Sequence, residues 1–153
     1  NKGSSRHEMR KGVLAVDGSI RSAEDGFIQI AHVDVNNITR LTDSLSAYDI
    51  LVSIFKVYNA LAEEFLNMDS LVFFIGGDNF LIVSNGVKED DYKEALRRVS
   101  QKIRLEMKAG IGIGRSATEA LELASKALDE IRRNQTGQRD QSSFPAILIE
   151  SKI

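Results

Sequence analysis

The chain has 153 residues, of which 42% are hydrophobic, so it is long enough for one compact domain with a substantial core. It contains no cysteine, which excludes disulfides and thiolate metal sites and is compatible with the cytoplasmic location that we expect. Its net charge of −2 gives no overall basic field for a nucleic acid polymer, and no apolar run approaches the roughly 20 residues of a membrane span.

The first residues differ in character from the rest of the chain. Residues 1–25 are predicted to be a linker or an N-terminal remnant, and residues 26–153 to be one domain. The chain begins with Asn1 and not with methionine, and Asn1 to Lys11 is polar and basic. We therefore expect a fragment, or a protein whose N-terminal part is missing.

Short apolar runs predict five β-strands. The first run is nearly continuous, which is typical of a central strand. The second and third runs flank the tetrapeptide Gly76-Gly77-Asp78-Asn79, which fits a tight hairpin turn. The predicted strands cover residues 27–35, 70–75, 80–84, 109–114 and 144–149.

Apolar residues at three-and-four spacing predict three helices, over 46–67, 89–105 and 116–133. Phe55, Tyr58 and Phe65 of the first helix are assigned to the core. The resulting order, β-α-β-β-α-β-α-β, predicts an α+β fold with the helices on one face of a mixed sheet. Gly110, Gly112 and Gly114 do not match a phosphate-binding loop and are expected to allow a helix to pack closely on their strand.

The hairpin tetrapeptide is the strongest candidate for a functional site. A carboxylate at a hairpin tip, Asp78, can hold Mg²⁺ if a second carboxylate arrives from a neighbouring strand. Asp34, at the end of the first strand, is the candidate for that second carboxylate if the two strands are neighbours, and an ordinary loop residue otherwise. On these residues alone, a plain solvent-exposed hairpin stays open as an alternative, because glycine, Asp and Asn are ordinary turn residues. His32, within the first strand, is interpreted as a core or sheet-face histidine, with a catalytic role as the alternative.

The element order, the hairpin glycines and the acidic strand end together resemble the palm-type domain of GGDEF diguanylate cyclases and class III nucleotide cyclases. The segment Asp34-Val-Asn-Asn-Ile-Thr-Arg-Leu-Thr-Asp43 lies over the cyclase pattern D-(I/L)-D-x-F-K-x-(I/V)-N-D without a gap. This resemblance implies a ferredoxin-like, mainly antiparallel sheet. It also implies that Asp34, Asp78 and the carbonyl of Val35 are metal ligands, and that Arg132 contacts phosphate.

The chain departs from the cyclase pattern at four polar positions. Asn36 and Asn79 replace acidic residues, and Thr39 and Thr42 replace the lysine and the asparagine that reads guanine. These departures count against production of a cyclic dinucleotide.

A narrower resemblance is to the archaeal GTP cyclohydrolase III family. It is carried by Phe74-Ile-Gly-Gly-Asp-Asn-Phe80, by Ser84-Asn-Gly86 and by Ile28-Gln-Ile-Ala-His-Val-Asp-Val-Asn36. The resemblance implies Mg²⁺-dependent hydrolysis of GTP to a formamidopyrimidine ribonucleotide monophosphate, with loss of the outer phosphates and K⁺ as an activator. It also implies that this chain is the C-terminal one of two palm-like halves and that it assembles into a homo-oligomer.

The same resemblance assigns the site residues. Asp34, Asp78 and Asn79 are expected to be catalytic, and Asp34, Val35 and Asp78 to hold the metal. The nucleotide is expected to contact Asn36, Asn37, Gly76, Gly77 and Arg132. Two other functions stay open from the sequence: a nucleotidyl cyclase or cyclic oligonucleotide synthase, and a non-catalytic GTP-binding palm domain.

Overall fold

A computed structural model describes residues 26–36, 38, 46–84, 86–135 and 147–152. The predicted linker over 1–25, Asn37, and the start of the predicted last strand at 144–146 lie outside the described residues. The predicted element order is confirmed. The strands are β1 (Ile28–Val35), β2 (Leu71–Gly76), β3 (Asn79–Ser84), β4 (Met107–Gly114) and β5 (Ile147–Lys152), and the helices are α1 (Ala47–Leu66), α2 (Glu89–Ile103) and α3 (Ala117–Gln135).

The five strands form one sheet in the order β2-β3-β1-β4-β5. β1 lies at its centre and pairs antiparallel with both β3 and β4, whereas β5 runs parallel to β4. The prediction of a mixed, mainly antiparallel sheet is therefore confirmed. β5 extends three residues beyond the predicted end, to Lys152, and β4 begins two residues before the predicted start, at Met107.

Helices cover both faces of the sheet, so the prediction that they share one face is wrong. Ala31, Val33 and Val35 of β1 belong to a buried cluster with residues of α1 and α2. The alternate residue His32 points the other way, because its ring contacts Ser125 of α3. Successive side chains of a strand point to opposite faces, so α3 lies on the face opposite to α1 and α2.

The core face of α1 also differs from the prediction. Phe65 is fully buried as expected, but Phe55 is 61% exposed and Tyr58 is 39% exposed. The helix instead buries Val57 and Leu61, which lie on a neighbouring stripe. Both stripes are apolar, so three-and-four spacing alone does not identify the one that meets the sheet.

The glycines of β4 lie directly beneath α3, which confirms the prediction of close packing. A side chain on Gly110 or Gly112 would meet backbone atoms of the helix. This close approach places the stretch of α3 from Glu119 to Leu128 on β4. None of the helices in the described part of the chain is long and apolar enough to cross a membrane.

Ser84 is one of the residues that carry the resemblance to the cyclohydrolase family. It is buried in a cluster of hydrogen-bonded residues away from the hairpin tip. Its hydroxyl lies 2.5 Å from the Tyr92 hydroxyl and donates to Gln29 Oε1 at 2.9 Å. Gln29 in turn bonds both the backbone N–H and the carbonyl of Val87. Burial raises the pKa of Tyr92, so its hydroxyl stays protonated and available as a donor. Ser84 therefore holds the end of β3 in place.

Candidate active site

The hairpin between β2 and β3 turns through a two-residue loop, Gly77 and Asp78. Gly76 has φ of 116° and Gly77 has φ of 62°, values that side chains with a Cβ atom rarely adopt. A glycine with positive φ at the first loop position is typical of a type II′ hairpin turn. The glycines are therefore needed for the turn itself, and the tight-hairpin prediction is confirmed.

The hairpin tip lies against the end of β1. Asp34 is the direct partner of Asn79 across the two strands. One residue further on, the Val35 N–H donates to the Asp78 carbonyl at 3.0 Å. The sheet therefore brings the Asp34 end of β1 next to the Gly-Gly-Asp-Asn turn, as the sequence predicts.

Asp34 forms an ion pair with Arg132 of α3. The Asp34 carboxylate is nearly buried, and its Oδ2 accepts from Nε of Arg132 at 3.0 Å and from Nη2 at 2.8 Å. Burial acts to lower the pKa of Arg132, but hydrogen bonds and charge from Asp34 and Asp129 outweigh it and raise the pKa overall. The guanidinium therefore stays charged, and both of its bonds to Asp34 end on the same carboxylate oxygen.

A series of hydrogen-bonded side chains runs along the α3 face of the sheet beside this pair. Asn79 Nδ2 donates to Asp78 Oδ1 at 2.9 Å. Asn79 Oδ1 lies 3.0 Å from His32 Nε2, and His32 Nδ1 lies 3.1 Å from the Ser125 hydroxyl. These hydrogen bonds therefore connect α3 with the tip of the hairpin through the His32 ring and the Asn79 amide.

The remaining predicted site residues have other contacts or lie outside the described chain. Asn36 turns towards β4, where its N–H donates to the Glu106 carbonyl at 2.9 Å and its side chain donates to Glu106 Oε2 at 3.3 Å. Val35 is fully buried, so only its backbone is available to a ligand. Asn37 lies outside the described residues.

Three polar residues near Asp34 were missed as site residues from the sequence. His32 precedes Asp34 by two positions, so strand alternation alone places both on one face. Ser125 precedes Arg132 by seven positions, which is two helical turns and hence the same face of α3. Lys108 is the partner of Asp34 on β4, and only the pairing of the strands places it there.

The carboxylates beside the hairpin can be compared with those of a Mg²⁺ site that is shared with a nucleotide. Within the described residues, no group of three or more His, Cys, Asp or Glu side chains can hold a metal ion. Mg²⁺ in nucleotide sites is commonly bound by one or two carboxylates, with phosphate oxygens and waters completing the shell. Asp34 and Asp78 are two carboxylate residues at the same end of the sheet, which is the number that such a site commonly takes from the protein.

Comparison with known families decides between the two resemblances. The model of the GTP cyclohydrolase III family matches residues 1–143. The chain belongs to the GTP cyclohydrolase III family. It is 50% identical over 131 residues to a GTP cyclohydrolase III of Methanocaldococcus jannaschii, covering 85% of this chain and 48% of the relative. It is 44% identical over 135 residues to one of Methanococcus maripaludis, covering 88% and 50%.

The chain thus spans about half the length of these GTP cyclohydrolase III relatives.

Among solved structures, its fold is similar to the GGDEF domain of DgcB from Caulobacter crescentus, determined in complex with c-di-GMP. The TM-score is 0.66 at 12% identity, covering 87% of this chain and 84% of that one. This similarity confirms the palm-type fold for this member of the GTP cyclohydrolase III family.

Proposed function

We propose that this chain carries the Mg²⁺-dependent hydrolysis of GTP to a formamidopyrimidine ribonucleotide monophosphate, with K⁺ as an activator. The observation that carries the proposal is the juxtaposition of Asp34 with the Gly-Gly-Asp-Asn hairpin in a chain of the GTP cyclohydrolase III family. Asn79 in place of a second hairpin acid favours this reaction over a cyclase reaction.

The proposed reaction consumes water at two places. One water adds to C8 of guanine, and the C8–N9 bond then breaks, which leaves a formamide on N7 and an amine at N9. Hydrolysis of the phosphoanhydride bonds releases the two outer phosphates. The protein must therefore position both the base and the triphosphate of one bound nucleotide.

The two carboxylates would hold the metal on the hairpin side of the site. Asp34, fixed by strand pairing and by Arg132, and Asp78, fixed by Asn79, offer the hard oxygen ligands that Mg²⁺ prefers. When bound, Mg²⁺ polarises phosphoryl oxygens and lowers the pKa of a coordinated water. The Val35 carbonyl is proposed as a further ligand.

The remaining residues would bind and orient the nucleotide. Gly76 and Gly77 have no side chains, so a ligand can approach the backbone at this turn. Asn79 has an amide that both donates and accepts, which suits a role in orienting the base or a water. Arg132, which is 40% exposed, and Lys108, the strand partner of Asp34, are proposed to contact the triphosphate. Asn36, which follows β1 directly, and Asn37, which lies outside the described residues, are proposed to contact the nucleotide.

The test of this proposal is metal removal. GTP is incubated with the chain in the presence of Mg²⁺ and K⁺, while phosphate release and loss of the guanine chromophore are followed together. We expect both signals to stop when EDTA is added and to return when Mg²⁺ is supplied in excess. Turnover that continues in EDTA would contradict the metal assignment.

We predict that Arg132→Ala weakens GTP binding. A charge-assisted pair to phosphate contributes about 1.5–3 kcal/mol, so the KM for GTP should rise by about tenfold or more. Arg97→Ala is a matched control, because Arg97 also makes two hydrogen bonds to one carboxylate, that of Glu94, but on α2. Equal KM values for the two variants would contradict the phosphate role of Arg132.

We also propose that the chain forms a homo-oligomer with GTP sites in each copy. On α1, Tyr48, Leu51, Phe55 and Tyr58 form an exposed apolar stripe. The residues of this stripe are spaced by three, four and three positions, and Ala62 continues the pattern. This spacing is typical of a helix that packs along another helix, and Phe55 lies at the middle of the stripe. An antiparallel α1 of a second copy would match this stripe with itself, as a two-fold interface requires.

Phe55→Ser is expected to weaken self-association of the chain. Burial of a phenylalanine contributes about 1.5–3 kcal/mol, so the dissociation constant from sedimentation should rise by about tenfold or more. Phe27→Ser is the control, because Phe27 is also exposed (42%) but precedes β1 and lies off α1. A chain that is monomeric without substitution would contradict the proposal.

A further inference from the structure

His32 has a geometry that its interpretation as a core or sheet-face histidine does not explain. It is partly buried on the α3 face of β1, two residues before Asp34. Both of its ring nitrogens have side-chain partners: Ser125 at 3.1 Å and Asn79 at 3.0 Å. One partner lies on α3 and the other on the hairpin, so the ring bridges two residues that are 46 positions apart in the sequence.

The hydrogen bonds of Asn79 determine which nitrogen of His32 carries a proton. Asn79 Nδ2 donates to Asp78 Oδ1, so the Asn79 atom that faces the ring is Oδ1. An amide oxygen can only accept, and therefore His32 Nε2 must donate. Nδ1 of the neutral ring then accepts from the Ser125 hydroxyl.

We propose that His32 is a positioning residue for the hairpin carboxylate Asp78. By donating from Nε2 to Asn79 Oδ1, His32 fixes the orientation of the amide so that its NH₂ group faces Asp78. The amide in turn holds one carboxylate oxygen of Asp78 and leaves the other free of that contact. This inference rests on the proposed function, in which Asp78 is a metal ligand, because an oriented outer-shell partner then tunes metal affinity.

The proposal gives a physical reason for asparagine at position 79. An aspartate there could accept from His32 but could not donate to Asp78, so two carboxylates would face each other at the tip. The pair of His32 and Asn79 therefore specifies a hairpin with a single negative charge. Without the histidine, the amide could rotate and present its oxygen to the Asp78 carboxylate.

The test compares three variants by their affinity for Mn²⁺, a paramagnetic substitute for Mg²⁺, titrated in the presence of a non-hydrolysable GTP analogue. His32→Leu removes the donor and is expected to weaken Mn²⁺ binding by about tenfold. His32→Gln carries an N–H at the same reach as Nε2 and is expected to restore most of that affinity. Ser125→Ala, which removes only the contact on α3, is expected to have a smaller effect than His32→Leu. Thermal unfolding of each variant verifies the fold.

Two patterns of Mn²⁺ affinity would overturn the proposal. Equal weakening by His32→Leu and His32→Gln would assign the ring a packing role alone. If Ser125→Ala weakened Mn²⁺ binding as much as His32→Leu does, the role of the His32 ring would be to anchor α3.

A ¹⁵N NMR measurement of the His32 ring in the unsubstituted chain needs neither metal nor nucleotide. We expect a proton on Nε2, and a ring without one would overturn the proposal. Failure of the unsubstituted chain to bind Mn²⁺ would instead overturn the proposed metal site, so the two failures are distinguishable.

Discussion

Replacing Asp34 with asparagine is expected to abolish Mg²⁺-dependent turnover of GTP while the fold stays intact. Asp34 lies where three elements meet: opposite Asn79 of β3, opposite Lys108 of β4, and in an ion pair with Arg132 of α3. The substitution keeps the size and a carbonyl acceptor for Arg132 but removes the anionic oxygen that would bind the metal. Loss of a metal ligand removes several kcal/mol of transition-state stabilisation, so kcat/KM should fall by about a thousandfold or more.

Asp129→Asn is the matched control for this experiment. Asp129 also contacts the Arg132 guanidinium, at 3.4 Å, but it is an exposed residue on α3. The same chemical change there should leave turnover within about twofold of the unsubstituted chain, as surface substitutions usually do. Full activity of Asp34→Asn, or equal losses in the two variants, would contradict the assignment of Asp34 as the central metal ligand.

Gly112→Ala is expected to destabilise the fold strongly. A Cβ atom at this position would lie 2.0 Å from the Ala120 carbonyl oxygen and 2.5 Å from the Ala124 nitrogen. These are backbone atoms of α3, so no side chain can move aside, and the helix itself must shift. Overpacking of this kind costs about 1–3 kcal/mol and occasionally more, and we expect a loss of about 3 kcal/mol in the free energy of unfolding.

Urea unfolding measures this loss, and Gly86→Ala provides the control. Gly86 has φ of 70° but no atom within 4 Å of an added Cβ, so its substitution introduces backbone strain without overlap. That strain costs about 1 kcal/mol. Because α3 carries both Ser125 and Arg132, Gly112→Ala should also raise the KM for GTP. Stability equal to that of Gly86→Ala would show that α3 does not lie on β4 as described.

The order of the elements was predictable because each run of apolar residues is local. The face that each element buries was not predictable. β1 is apolar on nearly every residue, which hides the alternation that separates Ala31 and Val33 from His32 and Asp34. In α1, Phe55 and Leu61 belong to different apolar stripes, and only contact with the sheet selects the buried one.

The same distinction applies to the candidate site, where some residues can be found from the sequence and others only from the fold. Asp34 and the hairpin could be found from the sequence, because a strand end and a glycine turn are local features. The contact between Asp34 and Arg132 joins residues 98 positions apart. The place of Lys108 beside Asp34 depends on strand pairing, and a shift of one residue would turn its side chain to the other face.

The measurement that tests the central claim most directly is identification of the product. The chain is incubated with GTP, Mg²⁺ and K⁺, and the products are separated by liquid chromatography and identified by mass spectrometry. We predict a ring-opened formamidopyrimidine ribonucleotide monophosphate together with released phosphate. A cyclic nucleotide or dinucleotide, or GTP that remains unchanged, would contradict the claim that this chain carries the cyclohydrolase reaction.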